Sequence, residues 1–192
     1  MIYLYRRNKT GICIDRVYGH DGIVELPETL EGLPVTELGA YIFSDHIDRG
    51  DLEKCRMSGK FCTEDGLKVQ DEEGMPEMSG NVVQELILPS KLRKVGRYAF
   101  YNCFHLKKLS FGGDLRDVGV GAMTGCHKIE RVTVKTDENG DSCLRDILTE
   151  LPETLRVDMD KNGEQGRFWF PEFFEEGVEN TPARIIENHV HG

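Results

Sequence analysis

The chain has 192 residues, with 34 Asp/Glu against 24 Lys/Arg for a net charge of −10. That length suits one domain, or one plus an appendage. Sustained acidity disfavours a nucleic-acid footprint, which needs net positive charge. No apolar run approaches the ~18 residues of a membrane-spanning helix, so membrane insertion is not expected.

Residues 1–22 read as an N-terminal cap. Ile2 and Leu4 alternate with Tyr3 and Tyr5, residues 12–18 make a second strand, and Asp21-Gly22 supplies a turn. No basic segment followed by an apolar stretch opens the chain. A cytoplasmic product is therefore expected, or a cell-surface one if a leader has been trimmed.

A degenerate unit follows at residues 23–46, and residues 47–81 carry no period. That stretch is rich in charge and glycine, with Asp71-Glu72-Glu73-Gly74 leading into Met75-Pro76. Leu52, Cys55, Phe61 and Cys62 offer it the core contacts of a degenerate repeat.

From Val83 the chain repeats every 23 residues: Leu86, Leu109 and Val132 align, as do Leu88, Phe111 and Val134. Leu92 pairs with Leu115, Val95 with Val118, Gly96 with Gly119, Ala99 with Ala122, Phe100 with Met123 and Cys103 with Cys126. A fixed period of this length marks a leucine-rich-repeat solenoid. One such unit cannot bury enough apolar surface to offset the ordering of its backbone, so stacking and terminal caps are obligatory. Leu86-Ile87-Leu88 reads in, out, in, as a short strand of a parallel sheet. Pro89 and Gly112-Gly113 end such strands. Gly96 and Gly119 are expected at positive φ ahead of a helical turn over residues 98–101. Phe43, Phe100 and Met123 should fill the core. The earlier unit fits with an insertion near residues 31–35, since Leu26-Pro27 matches Leu88-Pro89 at one offset and Ile42-Phe43 matches Ala99-Phe100 at another.

Residues 26–43 (LPETLEGLPVTELGAYIF) resemble the opening repeat of BspA-like bacterial leucine-rich-repeat proteins. Residues 95–103 (VGRYAFYNC) followed by 106–111 (LKKLSF) resemble their standard unit. The resemblance covers residues 14–46 and 82–135. It implies an α/β repeat fold: a short solenoid of parallel strands and helical turns over residues 23–135, closed by an α+β segment at 136–192. That family includes surface-displayed members.

After Lys135 the period is expected to stop. Cys143, Leu144, Ile147, Leu148 and Leu151 fall at helical spacing. Leu155, Val157 and Met159, then Phe168 and Phe170, alternate around Lys161-Asn162-Gly163-Glu164, which reads as a hairpin with an Asn-Gly turn. Residues 180–188 start another helix with Pro182 in its first turn. Residues 170–191 resemble an uncharacterised extension that follows the repeats in some BspA-like proteins.

Charge is uneven along the chain. Residues 83–135 hold ten Lys/Arg against four Asp/Glu (+6), while residues 136–192 sum to −9 and residues 1–82 to −7. Glu85, Lys108 and Arg131 form one outward column; Ile87, Ser110 and Thr133 form the next. A mixed column flanked by small polar residues suits protein recognition, and equally suits a solvated surface. These six are the candidate contact residues, with a protein of unknown identity as the partner.

The motif search points away from catalysis, metals and cofactors. Asp158-x-Asp160-x-Asn162-Gly163 matches the first half of a calcium loop, but Trp169 stands where the bidentate glutamate belongs. None of the six cysteines forms a Cys-x-x-Cys pair; Cys103 and Cys126 should lie about 5 Å apart in adjacent coils, as free thiols unless secretion allows a disulfide. Pairing Cys103 with His105, or Cys126 with His127, lacks a third catalytic group. Glu187, His189 and His191 share one face of an extended tail, too bare a set to define a zinc site. No nucleophile elbow or phosphate loop occurs, and Val118-Gly119-Val120-Gly121 lacks the third glycine of a dinucleotide loop.

The chain thus reads as a non-catalytic protein-interaction module. Two alternatives remain. One is a ligand-binding or enzymatic appendage around Phe168, Trp169, Phe170, Phe173 and Phe174 with Glu172, Glu175 and Glu176. The other is a surface adhesin.

Overall fold

The computed structural model describes residues 1–136, 156–161 and 164–169, with side chains to residue 134. In chain order the elements are β1 (Ile2–Arg7), β2 (Ile12–Tyr18), β3 (Ile23–Glu25), β4 (Thr29–Leu30), β5 (Leu33–Leu38), α1 (Arg49–Ser58), β6 (Lys60–Thr63) and β7 (Lys68–Val69). The repeats follow as β8 (Glu85–Ile87), β9 (Lys94–Val95), β10 (Lys108–Gly112), β11 (Asp117–Val118) and β12 (Arg131–Thr136), and the chain closes on β13 (Arg156–Lys161) and β14 (Glu164–Trp169).

The repeat period becomes two stacked ladders. On one flank β3, β8, β10, β12 and β13 pair in parallel, each in register with the next. Val24, Leu86, Leu109 and Val132 occupy successive rungs and are buried. On the other flank β5, β9 and β11 pair in parallel, and β2 adds to β5. Between the ladders lies one continuous core holding Leu26, Leu88 and Phe111 with Phe43, Phe100 and Met123. The Phe43 and Phe100 rings stack at 6.1 Å.

The connection that was expected to be a helical turn is instead a third ladder of amides. Tyr41 donates to the Arg97 carbonyl (3.2 Å) and Phe43 to Ala99 (2.9 Å). One coil later Tyr98 donates to Val120 (3.1 Å), Phe100 to Ala122 (2.8 Å) and Asn102 to Thr124 (2.9 Å). These residues form turns rather than helix, because alternate N–H groups bond across the coil interface while those between them bond back to the third residue before, as Tyr101 does to Tyr98 and Cys103 to Phe100 (both 3.1 Å).

The glycines also act differently from the expectation. Gly96 and Gly119 do not have positive φ; that conformation falls two residues later, at Tyr98 (φ 53) and Gly121 (φ 67), with Tyr41 (φ 59) in the first coil. Gly96 and Gly119 are glycine because the neighbouring coil lies against them. A Cβ on Gly96 would sit 2.5 Å from the Ala40 nitrogen, and one on Gly119 would sit 2.3 Å from the Arg97 nitrogen. The column ends at Gly39, where a Cβ would meet the Asp15 carboxylate at 2.5 Å. Asp15 is buried, and Arg6 holds it through two hydrogen bonds, of 2.6 and 2.8 Å.

The cap is larger than its sequence signal. Residues 47–81 do not form a coil: α1 leads into β6, which pairs antiparallel with β1, and β7 turns back on β6. Tyr3 and Tyr5 face the main core, while Ile2 and Leu4 join Tyr18 and Phe61 in a second cluster covered by Cys55, Val69 and Met75. Both faces of β1 are therefore buried, and β1 is shielded from edge pairing.

The insertion near residues 31–35 is a tight hairpin. Leu30 pairs with Leu33, and Glu31 (φ 50) and Gly32 (φ 76) turn the chain with positive φ at both central positions, as a type I′ turn requires. Glu31 is anchored there by Arg7 (2.6 Å) and Lys68 (3.1 Å). These partners, Arg7 foremost, pull its carboxyl down to about 2 from an ordinary 4.5. A carboxylate whose folded value is depressed stabilises the fold above its ordinary value and loses that contribution as pH falls toward the folded one. Glu31→Gln should therefore melt lower than wild type at pH 7, and the gap should close between about pH 4.5 and pH 2. Thermal melts across that range read the difference.

At the other end the ladder does not stop at Lys135. β13 pairs in parallel with β12, with Val132 opposite Val157, before β14 turns back antiparallel from Lys161 to Glu164. The two strands of the hairpin expected from the sequence pair antiparallel, while its Asn162-Gly163 turn, with the end of the half calcium loop, lies outside the described residues. The helices expected near residues 143–151 and 180–188, the aromatics beyond Trp169, and the Glu187–His189–His191 set lie outside the described residues.

Candidate functional site: the strand-bearing flank

Strand alternation fixes what this flank shows to solvent. With Leu86 and Leu109 inward, their neighbours point out. The register then stacks Glu85, Lys108 and Arg131 in one column and Ile87, Ser110 and Thr133 in the next. All six residues of the sequence expectation are brought together. Lys108 and Arg131 are exposed; Glu85, Ile87, Ser110 and Thr133 are half-buried. Lys108 Nζ reaches Glu85 Oε2 at 3.0 Å across one rung. Between the columns lies a shallow depression of about 140 Å³, bordered by Glu85, Lys108, Ser110, Arg131 and Thr133 over Leu86 and Leu109. Ile87 lies beside it rather than on its lining.

The structure lengthens both columns by positions that the sequence reading missed. Ile23 pairs with Glu85 and Glu25 with Ile87 on the N-terminal side, and Arg156 and Asp158 continue the register on the C-terminal side. A signal for the first pair was present. The offset that aligns Leu26-Pro27 with Leu88-Pro89 also sets Ile23 against Glu85. Arg156 was hidden because its rung comes 25 residues after Arg131 instead of 23.

A larger surface groove, about 270 Å³, lies at the opposite end between Arg56, Phe61, Lys68 and Val69. Two of its cations are already engaged. Arg56 pairs with Glu72 and lies 5.9 Å from the Phe61 ring centroid, and Lys68 holds Glu31. The ladder depression is the smaller feature, but it follows the repeat and its lining is varied in chemistry, so it is the better candidate.

Cys103 and Cys126 lie in the core and serve the stack. Cys103 Sγ donates to the Phe43 carbonyl (3.5 Å) and Cys126 Sγ to the Phe100 carbonyl (3.1 Å), each one coil back. No disulfide joins them. Hydrogen bonding with Cys126 and burial hold the Cys103 thiol well above its ordinary value, and burial pushes Cys13 up to about 12 and Cys62 to about 11. A nucleophilic cysteine needs the opposite shift. Among the described residues no group of three His, Cys, Asp or Glu is placed to hold a metal ion. Among them, too, no helix is long and apolar enough to cross a membrane.

Five parallel rungs on one flank, a glycine column between coils and an in-register outer surface define a leucine-rich-repeat solenoid. Residues 79–148 match the family described as the BspA type leucine rich repeat region (6 copies). No curated protein and no solved structure matches the chain.

Proposed function

We propose that the chain is a non-catalytic protein-interaction module whose strand-bearing flank is the contact surface. A BspA-type repeat region supports an interaction or adhesion role at the level of class. The observation that carries the finer reading is the depression seated on the columns of Glu85, Lys108 and Arg131 and of Ser110 and Thr133. A flat solvated sheet has no need of a concavity lined by varied polar groups. A recognition surface uses one to exclude water around a seated side chain.

The test is a pull-down from the native host with wild type and with Lys108→Glu/Arg131→Glu. The substitutions break the Lys108–Glu85 pair and stack like charges at 85, 108 and 131, at a cost of about 0.2–1 kcal/mol per neighbouring pair, so the melting temperature should fall by no more than a few degrees. Proteins captured by wild type should be lost from the variant. Retention of every captured protein would move the contact off this flank.

A further inference from the structure

The first outward column changes character along the solenoid: Ile23, then Glu85, then Lys108 and Arg131. Ile23 is 62% exposed, an apolar side chain standing open at the N-terminal end of the column. Lys108 and Arg131 stand further along it, within the block that carries +6 in an acidic chain. Lys108 meets Glu85 only across an exposed pair, which is a weak attachment and leaves the ammonium available to a second carboxylate.

Spacing decides which backbone fits. Successive rungs are about 4.8 Å apart, so cations on neighbouring rungs call for carboxylates at that interval. An extended segment presents same-side residues about 6.8 Å apart, two rises of ~3.4 Å, and falls out of step within two rungs. On a helix, residues three or four apart advance about 4.5–6 Å along the axis on one face, which brackets the rung spacing. We infer that the strand-bearing flank binds an acidic amphipathic helix of a protein partner, laid along the solenoid axis across β3, β8, β10 and β12.

The register specifies the helix. An apolar residue sits on Ile23, and a basic or polar residue lies one helical turn later, over Glu85. Two acidic residues follow, the first about two turns from the apolar one and the second about three, over Lys108 and Arg131. The hydroxyls of Ser110 and Thr133 border the depression beside those carboxylates and supply hydrogen bonds to them. This inference rests on the reading of the flank as the contact surface.

The probe is a display library of random peptides about 16 residues long, enough to cover four rungs as a helix at ~1.5 Å per residue. It is selected against the full chain, and enriched peptides are then measured on wild type and Lys108→Glu/Arg131→Glu protein by anisotropy. The expected winners carry acidic residues three or four apart, with an apolar residue two turns before them. They should bind the double variant at least about tenfold more weakly and should lose affinity with added salt. Ile23→Ser should weaken the same peptides without changing their salt dependence.

Enrichment of acidic residues at alternate positions would replace the helix with an extended ligand and overturn the inference. Winners without acidic residues that still need Lys108 and Arg131 would overturn it while sparing the contact surface. Winners that bind the double variant as well as wild type would overturn the surface itself. Competition by a single-stranded oligothymidylate with the same dependence on Lys108 and Arg131 would reassign the flank to nucleic acid. An unenriched library counts against both readings.

Discussion

Gly96→Ala is expected to lower the stability of the repeat region by about 3 kcal/mol or more, the upper range for forcing atoms into a packed site. The new methyl would lie 2.5 Å from the Ala40 nitrogen and 2.6 Å from the Gly39 carbonyl carbon, and neither can rotate away as a side-chain tip can. Relief requires the two coils to separate, which weakens the strand ladder and the amide ladder on either side of them. Gly32→Ala is the informative control. Gly32 has φ +76, but nothing lies within 4 Å of an added Cβ, so only conformational strain of about 1–2 kcal/mol is paid there. Urea midpoints of the two variants separate the causes. If Gly32→Ala proves the more damaging, coil contact is not what holds Gly96 as glycine.

Arg16→Met should cost about 3 kcal/mol, the lower end of the range for breaking a buried ion pair, because Arg16 is fully buried while Glu77 keeps 30% of its side chain exposed. The Arg16 side chain is fully buried. Its Nη1 donates to the carbonyls of Tyr41 and Ser44 (3.0 Å for the latter) and lies 2.8 Å from Glu77 Oε1. Burial pushes the guanidinium below its ordinary value and the Glu77 carboxyl above its own, and each group partly restores the charged form of the other. One side chain thus ties β2 of the cap to the first coil's turn and to the segment after β7. Methionine removes the cation, takes the donor from the Ser44 carbonyl (that of Tyr41 keeps the Ser44 amide, 2.9 Å) and leaves the half-buried Glu77 carboxylate without its nearest cation. Arg16→Met/Glu77→Leu should recover a substantial part of the loss, because the stranded charge goes with it. A double-mutant cycle from urea unfolding measures that coupling; additive losses would show that the pair does not act as a unit.

The ladder was legible from the sequence because a constant offset transmits register directly. Once Leu86, Leu109 and Val132 align, Glu85, Lys108 and Arg131 must align beside them. The glycines were legible in place but not in cause. A glycine demanded by φ and a glycine demanded by a neighbouring coil look the same in one dimension, and the tyrosines that do adopt positive φ carry no mark of it. Residues 47–81 were opaque for a different reason. None of the residues of α1 is buried, so the helix has no apolar stripe to reveal it; Asp48 caps it by accepting from the Gly50 amide (2.8 Å). β6 finds its partner in β1, far back in the sequence, and pairing of that kind leaves no local period. The last rung escaped notice because two extra residues broke the count, so that Arg156 follows Arg131 by 25 residues instead of 23.

The tight hairpin at Glu31-Gly32 and the long excursion of residues 47–81 both leave the solenoid between a rung and its successor without disturbing either ladder. Length is thus regulated inside each storey and free at its corners. A molecule built on that plan grows by adding whole floors, and each added floor extends the outer columns by one position whose charge is independent of the packing beneath. Reach and selectivity for a partner are then adjusted separately, by the number of storeys and by the side chains hung on their façade.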